Sequence, residues 1–199
     1  MHPVPRVPPF DRPATYADLE ALPPHVVGEI VDGELHASPR PASPHTYTFG
    51  RLGARLVPAF DEGRGGPGGW VILQEPELHL STQIVVPDLA GWRRARMPVV
   101  PDVAWFVLPP DWICEILSPS TASFDRAKKL RVYAADGVGH AWLIDSRLCT
   151  LEVLRLEGRH WAIVETHVGN EVVRVEPFEQ MPLELSALWL PEEPERTPA

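Results

Sequence analysis

The sequence predicts an α/β or α+β domain: a mixed β-sheet flanked by helices, with additional hairpins toward the N- and C-terminal ends. Three observations carry this. From Trp70 the chain runs through short strand patterns, "WVILQ", "ELHLS", "IVVPDLAGW" and "DWICEIL". A helical pattern then separates "DWICEIL" from "HAWLID", the arrangement of a crossover joining parallel strands. Finally, Asp32-Gly33 and Glu157-Gly158 each sit between apolar runs, a hairpin signal.

Residues 1–14 and 191–199 are Pro-rich and read as tails of a domain spanning 15–190. "TYADLEALP" reads as a short helix capped by Thr15 and stopped by proline. "HVVGEIVDGELHAS" is the first hairpin. A helix follows over 43–62, with Ser43 as cap, Pro44 in its first turn, and Leu52, Leu56 and Phe60 at helical spacing. "GRGGPGG" lacks the Gly-Lys-Ser/Thr ending of a phosphate loop and precedes a strand, so it reads as a connection. In "STASFDRAKKLRVYAADGV", caps lie among Ser120–Ser123, Ala127, Leu130 and Ala134 form an apolar stripe, and Gly137 ends the helix. "TLEVLRLEGRHWAIVE" alternates as a second hairpin.

The chain has 199 residues, 44% of them hydrophobic, and a net charge of −9. That length suffices for one sizeable core, and the composition excludes a disordered chain. The acidic balance argues against strong non-specific nucleic-acid binding, which phosphate neutralisation dominates. No apolar run approaches the roughly 20 residues that span a bilayer. The N-terminus lacks an apolar signal core, so a cytoplasmic protein is expected. Cys114 and Cys149 lie in strand patterns and read as free thiols. Trp92, Trp105, Trp112, Trp142 and Trp161 read as core.

Glu115 interrupts an otherwise apolar strand, and a buried carboxylate is costly unless paired, hydrogen-bonded or bound to a metal. Asp88 interrupts a second apolar strand in "IVVPDLAGW". Two carboxylates at one end of a sheet repel. A divalent cation removes that conflict, activates water and stabilises charge on a phosphodiester. Asp102, also after a proline, competes with Asp88.

"PDLAGWR" and "PDWICEILSPSTASFDRAKKLRVYAADGVGHAWLID", with "GEIVDGEL" and "SPHTYTFGRLGARL" upstream, resemble the Uma family, a former domain of unknown function grouped with restriction endonucleases. The resemblance covers about residues 15–160 and is most specific from Glu115 to Asp145. It implies the PD-(D/E)XK superfamily: a restriction-endonuclease-like core, magnesium or manganese at the acids, DNA as substrate and a homodimer. Asp88 matches the motif aspartate, Glu115 the second acid, and Glu29 an early glutamate. The superfamily lysine two residues after the second acid is replaced by Leu117. The resemblance implies that it has moved to Lys129, where it would position the attacking water, with Lys128 as rival. Lys129→Ala is then expected to remove activity and spare folding. His45 matches a histidine of the pattern and reads as a phosphate contact, a proton-transfer helper, or a plain helix-end residue. Arg93, Arg94 and Arg96 form the dense basic run, a contact for nucleic-acid backbone or a solvated loop. The rival function is a non-catalytic interaction or structural protein on the same fold.

Overall fold

The computed structural model describes residues 11–191. The tails expected at 1–14 and 191–199 lie outside it up to residue 10 and from residue 192. Arg12 pairs with Asp18 at 2.7 Å, and the Ala14 N–H donates to the Gly33 carbonyl at 2.7 Å. Helix α1 (Tyr16–Glu20) starts at Thr15, whose N–H donates to the Asp18 carboxylate at 2.8 Å, as in a capping box. Strands β1 (Val26–Val31) and β2 (Glu34–Pro39) form the expected hairpin. Its turn residues Asp32 and Gly33 have φ of 56° and 75°, the left-handed pair that a type I′ turn requires.

Helix α2 (Ser43–Leu56) has Ala42, not Ser43, at its N-cap, and continues through a wide turn, Val57–Asp61. The strands that follow are β3 (Trp70–Gln74), β4 (Leu78–Leu80), β5 (Gln83–Val85), β6 (Leu89–Arg93) and β7 (Trp112–Leu117). The stretch "IVVPDLAGW" is therefore two strands. Pro87 has no N–H to give a ladder, and Asp88 stands just before β6 rather than within a strand. Helix α3 (Ala122–Phe124), a wide turn (Asp125–Lys129) and α4 (Leu130–Ala135) form one helical segment. It stops at Gly137, φ 76°. Strands β8 (His140–Asp145), β9 (Thr150–Glu157), β10 (His160–Val168), β11 (Val172–Val173) and β12 (Leu183–Glu184) complete the described residues.

The main sheet has six strands in the order β10-β9-β8-β7-β6-β3. Only β7 and β8 are parallel, and the α3–α4 segment is their crossover, as expected. The β9–β10 hairpin extends this sheet. The N-terminal hairpin instead joins a second sheet, β2-β1-β5-β4. Strand β7 is buried throughout. Trp112, Cys114 and Ile116 enter one core with Leu52, Leu56 and Phe60. Ile113 and Leu117 enter the other with Leu130, Val132 and Tyr133. By strand alternation Glu115 faces that second core. A Cβ on Gly91 would stand 3.1 Å from Trp112 and 3.3 Å from Trp70, so any larger residue there would press on both rings.

Other expectations shift locally. The second hairpin turns at Gly158-Arg159, one residue later than expected, because Glu157 pairs with His160. Cys149 sits in a turn with φ 54°, not in a strand. Trp92, Trp112 and Trp142 are core, whereas Trp105 is 42% exposed and stacks on His79 at 4.9 Å. Ala127 is exposed; the face of the segment turned inward carries Asp125, Lys129 and Tyr133. Among the described residues no helix is long and apolar enough to cross a membrane.

Candidate active site

The inward helical face brings three polar side chains, four residues apart, onto Glu115. Glu115 is 2% exposed and Lys129 3%. The Lys129 ammonium lies 2.9 Å from Glu115 Oε1 and 3.0 Å from Oε2. The Tyr133 hydroxyl donates to Glu115 Oε1 at 2.6 Å. Asp125 stands 3.8 Å from the ammonium. Glu29 reaches in from β1 and places Oε1 3.0 Å from it. The Glu115 carboxylate is thus paired and hydrogen-bonded, which accounts for its burial without a metal.

The same groups hold the segment before Asp88. The Val86 N–H donates to Glu29 at 2.8 Å, and the Val86 carbonyl accepts from Lys129 at 3.0 Å. Asp88 Oδ2 then accepts the Ile116 N–H at 2.6 Å, one residue beyond Glu115. Its Oδ1 lies 3.0 Å from Nε2 of His45, in the first turn of α2. Lys129 has three protons to donate; Glu115 and the Val86 carbonyl accept from it, and Glu29 pairs with it at 3.0 Å. In this arrangement it holds carboxylates and the chain before Asp88.

Burial pushes the Glu115 carboxyl well above its ordinary range, against the pull of Lys129; Asp125, Asp88 and Glu29 add to the rise. Burial acts to lower Lys129, but Glu115, Glu29 and the other anionic neighbours outweigh it and hold the ammonium charged. Asp125 is raised from 3.8 to about 6, chiefly by burial. A carboxyl raised on folding contributes stability that is full below the unfolded value and lost as pH rises through the folded one. Asp125→Asn should therefore match wild type at pH 3 and exceed it at pH 8, by up to about 3 kcal/mol. Denaturant unfolding at the two pH values checks this; an equal difference at both would contradict it.

The structure brings Asp88, Glu115, Glu29, Lys129 and His45 together. Lys128 instead pairs with Glu34 at 2.8 Å, half-exposed, and Asp102 is exposed in the loop between β6 and β7. Arg93, Arg94 and Arg96 lie at the other end of β6, roughly 16 Å along the strand from Asp88. There Arg93 sits 4.2 Å over the Trp70 ring, Arg94 pairs with Asp61 at 2.5 Å, and Arg96 with Asp111 at 2.9 Å. Sequence reasoning assigned no role to Asp125 or Tyr133. Their four-residue spacing about Lys129 was the signal.

Among the described residues no three His, Cys, Asp or Glu side chains stand together as a closed metal cage. Magnesium seldom needs one; it takes one or two carboxylates and completes its shell with water and substrate oxygen. Three carboxylates, Glu29, Glu115 and Asp125, gather around the Lys129 ammonium, and Asp88 lies close enough to raise Glu115 further. Asp88 Oδ2 accepts the Ile116 N–H and keeps a further lone pair, and Oδ1 accepts no hydrogen bond from the described residues. This oxygen-rich, anionic donor set fits a hard divalent cation on Asp88 and Glu115.

Known proteins share this framework. One solved chain, described as "a putative nuclease belonging to DUF820" from Anabaena variabilis ATCC 29413, superposes with a TM-score of 0.70. It is 23% identical, and the match covers 89% of this chain and 98% of that one. No curated protein matches the chain. The Uma2 family model, described as "Putative restriction endonuclease", matches residues 13–187. That span holds both sheets, the crossover and every residue of the acid–lysine cluster, and so the chain belongs to the Uma2 family.

Proposed function

We propose that the protein is a metal-dependent endonuclease that hydrolyses phosphodiester bonds in DNA. The observation that supports this most is the juxtaposition of Glu115 with the Lys129 ammonium at 2.9 Å, beside an Asp88 tied to the next residue of β7. In this reading Asp88 and Glu115 hold magnesium or manganese. The bound cation supplies Lewis-acid stabilisation of phosphoryl charge and a more acidic water. Lys129 fixes the Glu115 carboxylate and offsets the charge of its neighbours. Glu29 fixes Lys129 and the chain leading to Asp88. Arg93, Arg94 and Arg96, a strand's length away, would meet backbone phosphates flanking the scissile one. A homodimer would address both strands of a duplex, and the protein would work in the cytoplasm.

The burial of Lys129 among Glu115, Glu29 and the Val86 carbonyl favours a second reading, a polar core that stabilises the fold without catalysis. Incubation of supercoiled plasmid with the protein separates the two. The nuclease reading expects relaxed circles with magnesium or manganese, none with EDTA, and none from Asp88→Ala in either metal. No relaxed product in either metal leaves the structural reading.

A further inference from the structure

We infer that one face of α2, carrying Tyr47, Arg51 and Arg55, receives the phosphate backbone of duplex DNA. The inference rests on the reading of DNA as substrate, and it places a contact on a helix away from the basic run 93–96. Charge carries it first. The chain has a net charge of −9, yet residues 35–60 hold no aspartate or glutamate and three arginines, Arg40, Arg51 and Arg55. Helix α2 is thus a cationic stretch of an acidic protein. Arg94 and Arg96 are taken up by Asp61 and Asp111. Among the described residues no carboxylate pairs with Arg51 or Arg55. The Arg51 guanidinium lies 4.9 Å from the centroid of the Tyr47 ring, and Arg55 donates to the Arg51 carbonyl at 3.2 Å. These contacts hold both side chains on the helix and leave most of their N–H donors unspent.

Shape and position agree. Thr48, Leu52 and Leu56 turn into the core. Tyr47, Arg51 and Arg55 recur every four residues beside them, about 100° round the helix. Arg51 is exposed, and so are Gly50 and Ala54 next to it. A Cβ added to Gly50 would meet nothing within 4 Å. These small residues leave the helix surface low beside the guanidiniums, so a sugar-phosphate strand can approach closely. The first turn of α2 lies against the site, where His45 comes within 3.0 Å of Asp88. At a rise of about 1.5 Å per residue, Arg51 and Arg55 stand roughly 9 and 15 Å further along the axis. A strand with one phosphate per about 3.4 Å that enters the site meets them about three and four phosphates from the scissile one.

Fluorescence anisotropy of a short fluorescein-labelled DNA duplex, in EDTA so that no cleavage intervenes, tests this between about 50 and 200 mM salt. Wild type is set beside Arg51→Ala/Arg55→Ala, Arg51→Lys/Arg55→Lys and, as a control of equal charge, Arg159→Ala/Arg174→Ala, each first checked for folding by circular dichroism. The expected result for the alanine pair at 51 and 55 is about tenfold weaker binding at the lowest salt, and a plot of log affinity against log salt shallower by about 2. The lysine pair keeps both charges and with them the wild-type slope, as does the control pair. An unchanged slope in the alanine pair, an equal change in the control pair, or no binding by wild type at the lowest salt overturns the inference. So does a poly-glutamate peptide that binds wild type more tightly than the duplex, which would assign the face to an acidic protein surface. Plasmid left unrelaxed in magnesium and manganese while the expected binding pattern holds refutes the nuclease reading alone.

Discussion

Lys129→Ala is expected to lower the free energy of unfolding by about 3–5 kcal/mol at pH 8, the usual cost of leaving buried charge uncompensated. The side chain is 3% exposed and lies within 4 Å of Glu29, Glu115 and Asp125. Removing it leaves three carboxylates in a low-dielectric site without their cation, and a carbonyl at Val86 without its donor. The pH dependence has a definite sign. Without the ammonium the carboxyl groups bind protons more tightly in the folded state than in the open chain. Their contribution is then present at low pH and lost as pH rises, so the deficit is smaller at pH 5 than at pH 8. Lys128→Ala removes only a half-exposed pair with Glu34 and should change stability by less than about 1 kcal/mol. Urea unfolding of both variants at the two pH values checks this. A loss below about 1 kcal/mol for Lys129→Ala would show that the cluster is not held by its ammonium. The sequence alone pointed the other way, to a lysine dispensable for folding, because a Lys-Lys pair on a helix gives no sign of which side chain is buried.

What the sequence could tell depends on how local the signal is. Strand β7 was readable because an apolar run with both faces buried needs no partner to identify it. The Asp32-Gly33 turn was readable because positive φ at two successive residues demands such a pair. Of the helical residues in the site the sequence singled out Lys129, while the four-residue spacing that stacks Asp125 and Tyr133 about it went unread. The site was not readable where chain segments meet from afar. Nothing local announces that β1 pairs with β5 through Ile30 and Ile84, or that the strand pattern around Asp88 splits between two sheets. The apolar stripe failed at Ala127. Leu130 and Ala134 are buried as the stripe predicts, and at the start of the segment Asp125 and Lys129 take the inward positions instead of Ala127. His45 was noticed for its position in a family pattern, yet its contact with Asp88 emerges only when α2 docks over β6 and β7.

Glu115→Gln is expected to separate chemistry from folding. The amide keeps the shape of the side chain, an oxygen to accept from Lys129, and a polar partner for the Tyr133 hydroxyl. It also removes a carboxyl that burial holds well above its ordinary range. Glu29, Glu115 and Asp125 share one ammonium, so a neutral isostere of one of them relieves like-charge repulsion while the cation keeps two partners. The variant should therefore melt no lower than wild type at pH 8. Activity should respond very differently, because a neutral amide neither anchors magnesium as a carboxylate does nor sustains charge stabilisation worth several kcal/mol. A loss of about 4 kcal/mol corresponds to roughly 10³-fold in rate. The rate of magnesium-dependent plasmid relaxation by folded Glu115→Gln, set beside wild type at pH 8, tests the claim that Glu115 serves chemistry as well as structure. The account predicts a rate at least about 10³-fold lower, with the melting temperature maintained. Relaxation within tenfold of wild type would contradict it and leave Glu115 as the partner of Lys129 alone.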